Sequence, residues 1–318
     1  MNMVIARARA AFLGLALGDA LGATTEFMTP SEIRNQYKVH RNIIGGGWLH
    51  LKSGRVTDDT EMSLCVARAI VDQGGWQLSA IADHFVTWMK GKPIDIGSTC
   101  RKGIRDYLLS GNTEQPYSDN DAGNGALMRL LPTALYTFGD EDLLFRCAIE
   151  QAHLTHHHPL SDAACVTFGK MIHAALLGVD RFALHAIARQ LIADYPKFHF
   201  NDYRGHAGGY VVETVQTVLH SFFTTDSFED CLIGIVNQGG DADTTGAIGG
   251  ALAGAFYGME QLPGAWRKKL DPTVSEEVQR LAGELVKLSP AGTSLSPSSA
   301  RSGHLLPQGE GLLRFPSP

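Results

Sequence analysis

Several features that define other protein classes are missing from this chain of 318 residues. Alternation of apolar and polar residues, the pattern of a half-buried strand, is nearly absent, with residues 45–51 as a weak exception. No stretch reaches the ~20 apolar residues that are needed to cross a bilayer, and no repeat of fixed period occurs. The sequence therefore predicts neither a β-sheet protein nor a transmembrane segment.

An excess of positive charge is also absent. Lys and Arg number 27 against 33 Asp and Glu, which gives a net charge of −6. Nucleic-acid-binding domains usually show a basic face, so this balance argues against a nucleic-acid partner, although an average still allows a local basic patch. The charge suits a cytoplasmic enzyme, and hydrophobic residues make up 44% of the chain, enough for a sizeable core.

Signs of disulfides and of export are weak. The five cysteines are odd in number and form no CxxC pair, which indicates reduced, buried thiols in a reducing compartment. Arg7 and Arg9 precede the apolar run 10–17 in loose imitation of a signal peptide. Asp19 interrupts this run, and the periodicity of small and apolar residues continues to Glu26, so we predict that the segment belongs to the folded domain.

Helical periodicity dominates the rest and predicts a compact, single-domain, all-α fold of many short helices. The predicted helices are 6–21, 30–37, 60–73, 77–90, 97–110, 124–138, 141–153, 159–178, 181–193, 206–222, 227–237, 243–257 and 273–288. Residues 289–318 hold five of the thirteen prolines together with many Ser and Gly. This composition predicts a disordered, non-catalytic tail after a domain of residues 1–288.

The first and the twelfth predicted helix are rich in Gly and Ala. Gly inside a helix costs about 0.5–1 kcal/mol relative to Ala, and a close approach of two helices is the usual compensation. We therefore expect these two helices to cross tightly at the centre of the fold. The crossing would bring Asp19 and Glu26 near Asp241 and Asp243.

Two acidic clusters carry the chemistry that the sequence suggests. Residues 57–59 read Thr-Asp-Asp, and residues 239–245 read Gly-Gly-Asp-Ala-Asp-Thr-Thr. Carboxylate and hydroxyl oxygens are the ligands that Mg²⁺ and Mn²⁺ prefer, so the two clusters together would form a two-metal site suited to hydrolysis. Helix capping is the alternative for the first cluster. An EF-hand is excluded for the second because residues 248–255 are apolar.

Other polar residues are open to more than one interpretation. Asp95 is either a turn residue or a pocket carboxylate, and Asn124 stands between Gly123 and Gly125 before a predicted helix, where backbone amides can bind phosphate. Residues 153–158 include four histidines, which could form a Zn²⁺ site, line a pocket or lie in a plain surface loop. We expect the four tryptophans to serve packing rather than ligand stacking.

In combination these motifs resemble the ADP-ribosylglycohydrolase family over residues 6–288. Within the family the chain is most similar to the dinitrogenase reductase-activating glycohydrolases of nitrogen-fixing bacteria. The segments that carry the resemblance are Leu15–Gly22, Gly45–Leu49, Thr57–Leu64, Asn124–Arg129, Thr155–Cys165 and Val236–Thr244.

The resemblance implies an all-α fold around a central binuclear site for two Mn²⁺ or Mg²⁺. The metal ligands that it implies are Thr57, Asp58, Asp59, Asp241, Asp243 and Thr244. Asp95 and Glu26 would be the catalytic carboxylates, with their separate roles left open. Asn124, Gly125 and His156 would line the cleft for ADP-ribose.

The implied reaction is hydrolysis of the N-glycosidic bond between ADP-ribose and an arginine of dinitrogenase reductase. The resemblance also implies control of a cytoplasmic enzyme by a PII-class signalling protein and, through it, the membrane ammonium channel, with reversible recruitment to the inner membrane. Two alternatives stay open. One is a related enzyme for serine-linked ADP-ribose or O-acetyl-ADP-ribose, and the other is a non-catalytic ADP-ribose-binding protein.

Overall fold

The computed structural model describes residues 1–201, 203–205 and 207–294. Over these residues the chain forms helices and no strands, apart from two isolated bridges that join Gly46 to Leu51 and Gly123 to Tyr210. The predicted all-α fold is therefore confirmed. The helices are α1 (Asn2–Gly22), α2 (Pro30–Tyr37), α3 (Asp58–Gln73), α4 (Leu78–Lys90), α5 (Ser98–Ser110), α6 (Leu131–Tyr136), α7 (Glu141–His153), α8 (Pro159–Leu177), α9 (Arg181–Asp194), α10 (Val211–Thr224), α11 (Phe228–Val236), α12 (Ala242–Tyr257), α13 (Gly264–Lys269), α14 (Pro272–Leu288) and α15 (Pro290–Ser294), with 3-10 helices at Pro196–Phe198 and Met259–Gln261.

Most predicted helices match these bounds, but the helix predicted over 124–138 is wrong for its first half. Only α6 is helical there, with Pro132 in its first turn. The Asn124 N–H donates to Gly209 O at 3.0 Å, and its carbonyl accepts from the Leu127 N–H at 2.8 Å. These bonds to a distant loop and within a turn replace the regular helical ladder.

Helices α1 and α12 cross at the centre of the molecule through facing glycines. A β-carbon on Gly18 would overlap the carbonyl oxygen of Gly246, and one on Gly22 would overlap that of Ala242. Both helices are buried along most of their length. The predicted crossing is confirmed, and it places the end of α1 beside the start of α12.

Helix α8 is the one helix of the described residues with the length and hydropathy of a membrane span. Most of that span, 78%, is buried inside the protein. It packs against α7, α9 and α12, which is the pattern of a core helix. The apolar run of α1 is buried in the same way, as expected for part of the domain.

The five cysteines are free and buried, as the sequence predicts. Burial raises the pKa of the Cys65 thiol to about 12 and that of Cys231 to about 12. These thiols therefore stay protonated at neutral pH, and the structure offers no sign of a cysteine nucleophile among them.

The chain after α14 begins as packed structure. Ser289 is buried, and its hydroxyl donates to Val286 O at 2.7 Å, while the Ala291 N–H donates to Phe138 O at 3.1 Å. The predicted tail therefore starts within packed structure. Its remaining residues, 295–318, lie outside the described residues, and the division of the chain into domain and tail stays a prediction.

Candidate metal centre and cleft

Asp19, on the last turn of α1, caps the start of α3. Its buried carboxylate accepts from the backbone N–H of Thr57 at 3.0 Å and of Thr60 at 3.1 Å, and from the Thr60 hydroxyl at 2.5 Å. The Thr57 side chain makes no cap hydrogen bond of its own. The capping alternative for residues 57–59 is therefore wrong, and the side chains of Asp58 and Asp59 are left for another role. Asp19 is missing from the predicted site, although a lone carboxylate in an apolar helix is a visible signal.

Folding brings the two acidic clusters together, as predicted. The Thr57 hydroxyl lies 3.1 Å from an oxygen of Asp59 and 3.3 Å from one of Asp243. The Thr244 hydroxyl donates to the same Asp59 oxygen at 3.3 Å. Two segments whose residues are 186 positions apart in the sequence therefore share one hydrogen-bonded cluster.

One carboxylate oxygen in this cluster has no partner among the described residues. Oδ1 of Asp59 is buried and accepts no hydrogen bond. A buried polar atom without a partner is costly and calls for an explanation, such as an ion. None of the described residues that line the adjoining cleft is Lys or Arg. The set of carboxylate and hydroxyl oxygens fits a hard divalent cation.

Burial and mutual repulsion raise the pKa values of these carboxylates. Burial raises the pKa of Asp19 to about 6, and burial with the charge of Asp95 raises that of Asp58 to about 7. The pKa of Asp59 is raised well above its usual value by burial and then by neighbouring carboxylates. Burial raises the pKa of Glu26 to about 8 against the opposing hydrogen bond from Trp48. The cluster therefore favours protons or a bound cation.

We expect the metal-free protein to lose stability as pH rises from about 4 to about 8. The pKa values of Asp19, Asp58 and Glu26 in the folded protein are about 6, 7 and 8. Because they exceed the values of the unfolded chain, the folded state binds more protons, and its stability is lost as pH rises through them. Urea unfolding in EDTA should show a loss of at least about 2 kcal/mol, since one pKa unit is worth about 1.4 kcal/mol.

Mn²⁺ added at pH 8 should restore the lost stability. The same titration in the presence of Mn²⁺ serves as the control and should be flatter with pH. A metal-free protein whose unfolding midpoint does not change between pH 5 and pH 8 would contradict the prediction.

The cluster adjoins a cleft of about 530 Å³. Its inner side holds buried carboxylates, and its outer side holds the two exposed aromatic rings of Phe27 and Trp48. The predicted residues Thr57 and Asp59 lie behind this lining rather than in it. The chemically distinctive residues of the lining are Glu26, Phe27, Trp48, Asp58, Asp95, Ser98, Asn124, Gly125, His156, Asp241, Asp243 and Thr244.

The two predicted catalytic carboxylates lie beside a predicted metal ligand. One carboxylate oxygen each of Glu26, Asp95 and Asp243 lies within 4.8 Å of the others. Asp95 accepts from its own neighbour, the Ile96 N–H, at 2.7 Å and does not cap α5. The structure therefore favours the pocket interpretation of Asp95, which lies in an irregular segment before α5 and lines the cleft.

The predicted ADP-ribose residues line another part of the cleft. The Asn124 amide donates to Asp241 at 2.6 Å, and a β-carbon on Gly125 would come within 2.8 Å of the His156 ring. Burial, with the charge of Arg129, lowers the pKa of His156 to about 3, so the ring is neutral. The predicted helix start at Asn124 is wrong, because residues 125–129 form turns, and phosphate binding by the backbone amides here stays a prediction.

Arg129 is a residue that sequence reasoning left without a role. Its guanidinium is completely buried and donates to Gln151 O and to the Thr155 hydroxyl, both at 2.8 Å. Thr155 in turn lies 2.7 Å from Nδ1 of His156. Arg129 therefore supports the wall of the cleft from behind.

The four histidines of the predicted turn do not converge on one metal site. His156 lines the cleft, and His158 accepts from the Leu160 N–H at 3.0 Å at the start of α8. His153 and His157 form a separate group with exposed Glu114. Nε2 of His153 is already bonded to Asp162 at 3.1 Å, and Nδ1 of His157 to the backbone oxygen of Gln115 at 2.6 Å. The pocket-lining interpretation holds for His156 alone.

Trp48 lies at the cleft, so for this tryptophan the expectation of packing rather than ligand stacking stays a prediction. Its ring lines the cleft, and its indole N–H donates to Glu26 at 2.6 Å. The indole N–H groups of Trp76, Trp88 and Trp266 bond to partners elsewhere in the structure. The position of Trp48 directly after three glycines was the available sequence signal.

Residues 2–294 match the family model for ADP-ribosylglycohydrolase. The chain belongs to the ADP-ribosylglycohydrolase family. ADP-ribosyl-[dinitrogen reductase] glycohydrolase of Rhodospirillum rubrum is 52% identical to this glycohydrolase over 283 residues, which are 89% of this chain and 96% of that protein. ADP-ribosylarginine hydrolase Tri1 of Pseudomonas putida (strain GB-1) is 32% identical over 299 residues, 89% of this chain and 79% of that protein.

A solved structure supports the same conclusion. It is described as an ADP-ribosylglycohydrolase-related protein complex and is 32% identical to this glycohydrolase, with a TM-score of 0.81. The likeness covers 91% of this chain and 100% of that chain. The resemblance found in the motifs is thus confirmed. The family is metal-dependent, which agrees with the group of acidic residues in the cleft, Glu26, Asp95 and Asp243.

Proposed function

We propose that this chain is a metal-dependent hydrolase that removes ADP-ribose from an arginine of dinitrogenase reductase and so reactivates that protein. The observation that carries the proposal is the buried carboxylate cluster beside the cleft, with its unpaired Asp59 oxygen. The name of the 52% identical relative supports this substrate, and the name of Tri1 supports the arginine linkage.

The proposed centre holds two Mn²⁺ or Mg²⁺. Every proposed donor atom is a carboxylate or hydroxyl oxygen, which suits these cations. When bound, such cations offset the negative charge, orient sugar hydroxyls and lower the pKa of a coordinated water. The proposed ligands are Thr57, Asp58, Asp59, Asp241, Asp243 and Thr244.

Glu26 and Asp95 are the proposed catalytic carboxylates. Cleavage of a glycosidic bond passes through an oxocarbenium-like state, which nearby carboxylates stabilise. One group must assist the attack of water, and another must protonate the departing guanidine. Glu26 and Asp95 lie close enough together to share these two tasks, and the Trp48 N–H fixes the position of Glu26.

Asn124, Gly125 and His156 are proposed to hold ADP-ribose. Asn124 also positions Asp241, since its amide donates to that carboxylate. Gly125 leaves the neutral His156 ring uncovered on the cleft side, because any β-carbon there would press against it. Nε2 of His156, the ring nitrogen that is not bonded to Thr155, therefore remains available for a hydrogen bond across the working pH range.

The test is release of ADP-ribose from arginine-ADP-ribosylated dinitrogenase reductase, with Mn²⁺, with Mg²⁺ and after chelation. We expect release that depends on the metal. Turnover of serine-linked ADP-ribose or O-acetyl-ADP-ribose, without turnover of the arginine-linked substrate, would show that the chain is a related enzyme for another ADP-ribosyl linkage. Tight binding of ADP-ribose without turnover of any substrate would favour the non-catalytic alternative.

Glu26→Gln and Asp95→Asn should each lower turnover by about 10²–10⁴-fold, the usual contribution of a general acid or base. Binding of ADP-ribose, measured by calorimetry on the metal-loaded variants, should persist because the proposed ligands of the metal and the sugar are intact. Glu114→Gln, at an exposed carboxylate outside the cleft, is the matched control. Full activity in both cleft variants would show that the assignment is wrong.

The remaining partners are proposed from the family resemblance. They are a PII-class signalling protein and the membrane ammonium channel, which would recruit a cytoplasmic enzyme to the inner membrane. A pull-down with PII proteins tests this contact. The absence of retention under every nucleotide condition would contradict it.

A further inference from the structure

Two aromatic rings are exposed at the edge of the cleft, next to its carboxylates. Phe27 is 65% exposed and Trp48 is 48% exposed, and both line the cleft. Their ring centroids are 5.2 Å apart at an interplanar angle of 51°. The two rings therefore form a tilted aromatic pair that a ligand in the cleft can reach.

The backbone at Phe27 is held in an unfavourable conformation. Its φ is 60°, in the left-handed region, which costs a side chain of this kind roughly 1–2 kcal/mol. The Phe27 N–H donates to Gly240 O at 2.6 Å, and the Gly240 N–H donates back to Met28 O at 2.9 Å. The backbone of Phe27 is thus fixed to the segment that leads into Asp241, which determines where the ring leaves the chain. Because it is mostly exposed, burial does not offset the cost, and strain of this kind points to a functional role.

Trp48 is oriented by the carboxylate that it contacts. Its indole N–H donates to Glu26 at 2.6 Å. The preceding Gly47 has a φ of +66° and lies so close to Ala23 that a β-carbon would overlap the Ala23 carbonyl. The indole hydrogen bond and the close packing of the backbone at Gly47 therefore both fix the Trp48 ring. The ring lies beside Glu26, the residue that precedes Phe27 in the chain.

A planar cation fits this place better than a neutral group does. The faces of aromatic rings attract cations, and guanidinium groups stack on such faces as well. The carboxylates of Glu26 and Asp95, which are not among the proposed metal ligands, line the same cleft and in their ionised form attract positive charge. A neutral leaving group such as a serine hydroxyl gains neither the charge attraction nor the stacking.

We propose that Phe27 and Trp48 form the subsite for the guanidinium of ADP-ribosyl-arginine and select it over neutral ADP-ribosyl linkages. This inference rests on the proposed function and adds to it the residues that recognise the departing group. ADP-ribose itself occupies the part of the cleft lined by Asn124 and His156, so its binding does not depend on the aromatic pair.

Phe27→Leu and Phe27→Tyr provide a matched pair of variants, since both side chains are apolar in large part and only Tyr keeps an aromatic face. On ADP-ribosyl-arginine, Phe27→Leu should lower kcat/KM by about 5- to 20-fold, while Phe27→Tyr stays within about twofold of the wild type. The Kd of ADP-ribose should change by less than about twofold in both. Phe182→Leu, at an exposed ring on α9, is the control and should change nothing.

Binding of agmatine, a guanidinium compound, to the metal-loaded protein separates this inference from the proposed function. Phe27→Leu should weaken agmatine binding, and Phe27→Tyr should retain it, whether or not the protein hydrolyses a substrate. Phe27-dependent agmatine binding in an inactive protein would uphold the subsite and refute the hydrolase. Equal agmatine binding by the wild type and Phe27→Leu, or an equal loss of ADP-ribose affinity, would overturn the inference.

Discussion

Asp59→Asn should abolish hydrolysis and, at the same time, stabilise the metal-free protein. Oδ1 of Asp59 is buried without a partner, and burial beside other carboxylates raises the pKa of Asp59 well above its usual value. Replacement by the neutral amide removes one charge from this repulsive cluster. It also removes a proposed metal ligand. Bound metal stabilises the transition state by several kcal/mol, so its loss should lower turnover by about 10³-fold or more.

Two measurements on the same variant check this prediction. Turnover in Mn²⁺ should fall, while the urea midpoint in EDTA at pH 8 should rise above that of the wild type. Asp142→Asn, at an exposed position on α7, is the control and should leave both nearly unchanged. If Asp59→Asn lowers the stability of the metal-free protein, then its hydrogen bonds from Thr57 and Thr244 outweigh the repulsion, and our account of the cluster fails.

Gly18→Val should destabilise the fold by about 3 kcal/mol or more, at the upper end of overpacking effects. The added β-carbon would overlap the Gly246 carbonyl where α1 crosses α12. The obstacle is backbone, so no rotamer change relieves it, and the helices must separate. Urea unfolding of the metal-free variant measures the loss directly.

Gly75→Ala is the matched control for that substitution. The nearest atom to a β-carbon there is the Tyr136 hydroxyl oxygen at 3.9 Å, an ordinary contact. A folded Gly18→Val should also bind Mn²⁺ more weakly, because Asp19 and Asp243 lie together at the end of this crossing where both contact Thr57. An unchanged urea midpoint would show that the helices have room to move apart.

The sequence predicts the crossing of α1 and α12 because its signal is local to each helix. Glycines in a helix interior are unfavourable without close packing, so their positions in both helices indicate the contact and the meeting of Asp19 with Asp243. The helix bounds of α2 and α7 follow for a similar reason. Their apolar periodicity and capping residues, Thr29 and Asp140, lie within the segments themselves.

The predictions that fail depend on partners far away in the sequence. The turns after Asn124 follow from a hydrogen bond to Gly209, which no local pattern reveals. The capping of α3 by Asp19 spans 38 residues. The place of Trp48 in the cleft depends on its bond to Glu26. The sequence shows which residue types are present, and only the fold shows which of them meet.

The joining of α1 to α12 has a consequence for synthesis of the protein on the ribosome. The first helix leaves the exit tunnel long before its glycine-packed partner, Ala242–Tyr257. Until that partner emerges, the apolar surface of α1 is without its cover, and nascent chains with exposed apolar surface are prone to aggregation. The nascent chain should thus depend on chaperones and should gain its metal affinity abruptly, once the second acidic cluster has emerged.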